Sequence, residues 1–121
     1  MAYLSFALIF AAQILAVPVK FTKETYLYWY ELMQLIRQFE LKAEEMYKMA
    51  GKIRGFFHAY VGQEAIAAGC MTATKQEDIV ITAYRDHGLA LAKGASANAC
   101  MAELYGKATG LAKGKCGSMH F

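Results

Sequence analysis

Four functional side chains follow one another at Tyr84-Arg85-Asp86-His87, closed by Gly88. An arginine offers a planar fork of donors that matches phosphate or carboxylate oxygens, and a tyrosine hydroxyl adds a neutral donor beside it. An anionic ligand of the phosphate or carboxylate type is the natural partner of such a turn. The alternative is a surface pair of Arg85 with Asp86 and an incidental His87. His58 stands between Phe57 and Ala59. A lone histidine among aromatics is more often a hydrogen-bonded packing residue than a catalyst. Glu64, in Gly62-Gln63-Glu64-Ala65, falls at a helix start, where a carboxylate complements the helix dipole. Residues 110–118, Gly-Leu-Ala-Lys-Gly-Lys-Cys-Gly-Ser, mix glycine with lysine but lack the GxxxxGK[ST] spacing of a phosphate loop. They read either as a solvated loop or as one that orders over a phosphate-bearing ligand. No Ser/His/Asp set, HExxH or GxGxxG is present.

The elements around these residues are mostly helical. Between residues 21 and 50, apolar side chains recur at Trp29, Leu32, Met33, Ile36, Phe39, Ala43, Met46 and Tyr47. Steps of three and four mark one face of a helix, here a core or subunit-interface stripe. Thr22 can cap its start, Glu24 suits the first turn and Gly51 the end. An alanine-rich helix fits residues 62–73, a short one follows Gly88 to Lys93, and Ser96 caps another over 97–105, closed by Gly106. Asp78-Ile79-Val80-Ile81-Thr82 is short, β-branched and apolar, and reads as a strand or a buried extended segment that delivers the Tyr84 turn. The remainder, from Thr109 on, has no periodicity and reads as a loop. Helices with apolar faces and one extended piece form no completed βαβ unit, so the pattern is that of the opening part of a larger α/β domain.

The chain has 121 residues, the length of one domain, with a net charge of +3. That charge is too mild to argue for nucleic acid. With 57% apolar and 19% charged residues, disorder is excluded for the bulk of the chain. Cys70, Cys100 and Cys116 form neither a CxxC pattern nor a Cys/His cluster, so no disulfide framework or structural zinc is indicated. Residues 1–19 carry no charge, and only Ser5, Gln13 and Pro18 among them are not apolar. Such a run suits a signal-peptide core, a membrane anchor or a mis-called start. No basic residue follows Met1, and Ala16-Val17-Pro18 is a poor cleavage site.

Four stretches, in order, carry a resemblance. They are Gly55-Phe56-Phe57-His58 leading to Gly62-Gln63-Glu64-Ala65, then Thr82-Ala83-Tyr84-Arg85-Asp86-His87-Gly88, then Met101-Ala102-Glu103-Leu104-Tyr105-Gly106, then Lys113-Gly114-Lys115-Cys116-Gly117-Ser118-Met119-His120-Phe121. From about Lys20 onward the chain closely resembles the alpha subunits of the pyruvate dehydrogenase component of 2-oxo acid dehydrogenase complexes. The resemblance implies an α/β thiamine diphosphate-binding fold, a parallel sheet flanked by helices, of which residues 20–121 are the N-terminal helical part. It makes residues 1–19 a non-family extension and favours the mis-called start. It implies oxidative decarboxylation of pyruvate with thiamine diphosphate and Mg2+, a beta subunit as partner, and acetyl transfer to a lipoyl-bearing acyltransferase. By resemblance His58 is a catalytic and substrate-binding residue in the active-site channel. Tyr84 and Arg85 reach both the cofactor diphosphate and the substrate side. Ser118 and His120 match the stretch entering the cofactor loop.

Two departures from the family accompany the match. Cys116 stands where the family usually has glycine; a left-handed backbone there would strain a cysteine by ~1–2 kcal/mol. The family's Gly-Asp-Gly motif and downstream Asn, which hold magnesium and diphosphate, are absent from the sequence, so no metal ligand is assigned and the chain is expected to be an inactive N-terminal fragment when alone. An acetoin or other 2-oxo acid dehydrogenase, or a truncated, non-catalytic partner-binding chain, are the alternatives. No Arg- and Ser-rich leader is evident, which places the expected enzyme in a bacterial cytoplasm with no membrane or nucleic-acid partner.

Overall fold

A computed structural model describes residues 20–120; residues 1–19, with their proposed role as an extension, lie outside the described part. Among the described residues four helices follow in order: α1 (Lys23–Ala50), α2 (Glu64–Ala73), α3 (His87–Ala92) and α4 (Ala97–Leu104). Their positions follow local chemistry. Thr22 caps α1, its side chain accepting from the Thr25 N–H, and Gly51 ends it at φ 54° with its N–H on the Met46 carbonyl. Ser96 precedes α4 in extended conformation without a side-chain capping bond. Gly106, at φ 65°, turns the chain after α4.

The anticipated stripe of α1 is the spine of the core. Leu32, Ile36, Phe39 and Ala43 are buried against Ala67 and Ala68 of α2, Leu91 of α3, and Cys100 and Leu104 of α4. Each large side chain so buried contributes about 1.5–3 kcal/mol. Two polar contacts fix how α2 lies on α1. Trp29 Nε1 donates to Thr72 Oγ1 at 2.6 Å, and Arg37 donates to Glu64 at 2.5 and 2.9 Å. Positions rising along α1 meet positions falling along α2, so the two helices run antiparallel. The start of α3 is pinned by contact: a Cβ at Gly88 would overlap the Tyr60 ring.

One expectation is corrected. Residues 78–82 are neither strand nor buried: Ile79 is 89% and Ile81 93% exposed, and the described residues contain no strand. A β-branched run becomes a strand only when a neighbouring edge takes up its backbone groups, and none of the described elements offers one. The parallel sheet implied by the resemblance is therefore not represented among the described residues, which form the helical part alone.

Candidate functional site

The link between α1 and α2 and the turn before α3 meet at one surface. His58, half-buried, has its ring 5.0 Å from that of Tyr84, which is half-exposed. The Arg85 guanidinium lies 5.2 Å from the centre of the Tyr84 ring. These residues are the three assigned from sequence, and the fold brings them together across 26 positions (84 less 58).

Arg85 has φ 57°, a left-handed conformation that only one other non-glycine residue, Lys113, shares among the described residues. A non-glycine residue there costs of order 1–3 kcal/mol and persists only where its surroundings impose it. The imposition comes from the next two residues. Asp86 and His87 are buried at the start of α3, and Arg85, partly exposed, makes the reversal just before them. Asp86 is thus buried and not the surface partner of Arg85 that the alternative supposed: its Oδ1 lies 3.9 Å from His87 Nε2.

His87 anchors the turn. Its Nδ1 is 2.9 Å from Glu40 Oε1 on α1, and its Nε2 is 2.7 Å from the Ser118 carbonyl. The Ser118 hydroxyl donates to the Phe56 carbonyl. Phe57 stacks on the His87 ring with centroids 5.5 Å apart. The segments carrying Tyr84-Arg85, Phe57-His58 and Ser118 are therefore fastened to one buried imidazole. Ser118 enters the site as a support with its side chain turned inward, whereas His120 is exposed.

Two further carboxylates organise the surroundings. Glu103 is fully buried and accepts N–H bonds from Ala112, Gly114 and Cys116, each at 2.8 Å. Burial would raise its pKa, but these amide donors outweigh that and hold it below the usual carboxylate range. Residues 110–118 are thus an ordered loop wrapped on the end of α4. Gly110 is required there, since a Cβ would overlap Glu103 itself. Cys116 does not have a positive φ, so the expected strain from replacing the family's glycine is absent. Glu64 does start a helix, but the dipole is a minor part of its role: Arg37 and the Gly62 N–H hold its pKa down to about 2. Glu40, Arg37 and Glu103 were not singled out from sequence. The available signal was a carboxylate at Glu40 on the buried stripe of α1, and another beside Cys100 and Leu104 on the buried side of α4.

Residues 31–121 match the family described as dehydrogenase E1 component. The chain belongs to the dehydrogenase E1 component family. It is 55% identical over 101 residues to the pyruvate dehydrogenase E1 component subunit alpha of Rhizobium meliloti (strain 1021), covering 84% of this chain and 29% of the relative. It is 48% identical over 99 residues to the mitochondrial subunit alpha of Kluyveromyces lactis, covering 82% and 24%. With the mitochondrial subunit alpha-1 of Arabidopsis thaliana it shares 45% over 103 residues, covering 85% and 26%. The chain thus spans between about a quarter and three-tenths of the length of these E1 relatives.

Among the described residues, no group of three or more His, Cys, Asp or Glu is arranged to hold a metal ion. No helix among them is long and apolar enough to cross a membrane. The E1 motif turn, by contrast, suits an anionic group: an arginine in an imposed conformation, backed by an exposed phenol and a histidine.

Proposed function

We infer that this chain supplies the substrate- and cofactor-facing N-terminal part of an E1 alpha subunit that decarboxylates pyruvate. The observation that carries the reading is the His58–Tyr84–Arg85 cluster, three side chains on one surface with an arginine held in a left-handed turn. The family is thiamine diphosphate-dependent in general. When bound, that cofactor supplies the electron sink for loss of CO2 from a 2-oxo acid. The Arg85 fork and the Tyr84 hydroxyl would hold its diphosphate. His58 offers a ring N–H to the 2-oxo acid beside them. His87 and Glu40 act behind the site, fixing the turn so that Arg85 meets the ligand without rearrangement.

The relatives named pyruvate dehydrogenase favour pyruvate as the substrate. Assembly with a separate beta subunit, transfer of the acetyl group to a lipoyl-bearing acyltransferase, and a cytoplasmic site of action belong to the same proposal. Magnesium would need ligands beyond the described residues, and no step is routed through it. The 121-residue chain by itself is expected to be inactive.

The test is a chimera. The matched stretch of the Rhizobium meliloti alpha subunit is replaced by that of this chain and combined with that organism's beta subunit. Pyruvate decarboxylation that requires added thiamine diphosphate, lost in His58→Ala and Arg85→Ala, is the expected result. A chimera that assembles, binds cofactor and does not decarboxylate pyruvate would refute the reading.

A further inference from the structure

A second concave site lies away from the His58–Tyr84–Arg85 cluster. It is a cavity of about 960 Å³ between the end of α1, the end of α4 and the 110–118 loop, and none of the three cluster residues lines it. Four cations do: Lys52, Arg54, Lys107 and Lys115, all exposed. None of the four forms an ion pair among the described residues. The wall holds a single carboxylate, Glu103, and its oxygens are taken by the amides of Ala112, Gly114 and Cys116.

Lysines gather at helix C-termini because free carbonyls attract them, and two helices end at this cavity. Here the turns that end both helices take up part of that acceptor capacity. The N–H groups of Gly51 and Lys52 cap the Met46 carbonyl, and those of Gly106 and Lys107 cap the Glu103 and Ala102 carbonyls. Four positive charges converge on a hollow against one negative charge that is turned to the loop's own amides.

From this arrangement we propose that the cavity is a binding site for a compact polyvalent phosphate, free or as the diphosphate end of a small organic ligand, distinct from the Tyr84–Arg85 turn. Several cations on a concave wall favour a ligand with several charges close together over a monovalent anion, since every pairing adds on one small group. The volume suits a small molecule rather than an extended polymer.

Cys116 lies in the wall of this cavity, half-buried, while Cys70 is exposed elsewhere and Cys100 is buried. The three thiols therefore report on the site, on the surface in general and on the fold. Iodoacetamide labelling of the 121-residue chain is followed by peptide mass spectrometry with and without inorganic diphosphate, under conditions where Cys100 stays unlabelled. At about four times its Kd, diphosphate leaves about one-fifth of the sites open, so Cys116 should react about fivefold more slowly while Cys70 is unchanged. Sodium chloride of equal ionic strength should not reproduce the effect. ADP as a second probe separates the two sources: protection by ADP at lower concentration than by diphosphate shows that the organic part adds contacts, and equal protection shows that the phosphates alone are read. Lys52→Glu with Lys107→Glu should abolish the protection, whereas Lys75→Glu and Arg85→Ala should leave it intact. Persistence of Arg85→Ala protection separates this site from the proposed cofactor turn. No slowing of Cys116, equal slowing at Cys70, equal slowing by sodium chloride, or protection surviving the Lys52/Lys107 reversal would overturn the proposal.

Discussion

His87 Nδ1 lies 2.9 Å from Glu40 Oε1, and both side chains are sealed from solvent. The other ring nitrogen faces the Ser118 carbonyl at 2.7 Å. A carbonyl only accepts, so Nε2 carries a proton. Burial alone would lower the pKa of His87. The bond and charge of Glu40 outweigh it, the Ser118 carbonyl and Asp86 add to them, and the net shift is upward from 6.5. Protonation of the ring is therefore easier here than in a free histidine.

A pH dependence follows from that pair. A raised folded-state pKa stabilises the fold fully below the unfolded value of 6.5, and the contribution is lost as pH rises through the folded value. The thermal midpoint should therefore fall on the alkaline side. Glu40→Gln keeps an oxygen and an amide for the ring but removes the charge. It should lower the midpoint most below pH 6.5, and the difference from the parent should shrink as pH rises. Parallel pH profiles for the two proteins would remove His87 as the source.

Glu103 organises the 110–118 loop through three amides. Glu103→Gln offers one carbonyl and turns an NH2 group toward donors. The expected loss is about 2–3 kcal/mol, from charge-assisted bonds and amides left unpaired. Hydrogen exchange should accelerate at Ala112, Gly114 and Cys116 before it does in α1. Unchanged protection at those amides would show that the loop holds without the carboxylate.

Arg85 can be tested in the chimeric subunit. Arg85→Lys keeps the charge and loses the planar fork. Thiamine diphosphate or pyruvate binding should weaken about tenfold, a loss of ~1.4 kcal/mol. Arg85→Ala should be worse. Arg85→Gly, which accepts the left-handed backbone, should restore fold stability without restoring ligand affinity, and so separates strain from binding. Wild-type cofactor titration and kinetics in Arg85→Ala would return this stretch to an ordinary charged turn.

Ile79 and Ile81 present apolar side chains to solvent from a segment outside any element. Such segments favour association. Ile79→Lys with Ile81→Lys should shift the 121-residue chain toward monomer in sedimentation velocity. An unchanged distribution would place the contact elsewhere.

The helices were legible because their information is local. Thr22, Gly51 and Gly106 mark ends whatever the chain packs against, and the stripe from Leu32 to Ala43 needs only a periodicity of three and four. Residues 78–82 were misread for the complementary reason: Ile79 and Ile81 specify a strand only in company, and the deciding neighbour is not local. Tyr84 and Arg85 stand out by their chemistry and His58 only by the E1 resemblance, and the fold sets the three on one surface. Glu40 and Glu103 could not be named, because a carboxylate is buried only when remote donors meet it, and those donors lie 47 and 9 to 13 residues away.

The only tryptophan of the sequence, Trp29, is also the residue that bonds to Thr72 across the α1–α2 contact. Phe21 and Tyr26 flank the same indole at 4.6 and 5.4 Å. The protein thereby carries its own optical gauge. Separation of the two helices would strip the indole N–H of its acceptor and wet the ring, shifting its emission to longer wavelength. Changes confined to the loop over α4 would leave the signal still. A single cuvette can thus tell loss of the helical pair from opening of the loop, with no label attached.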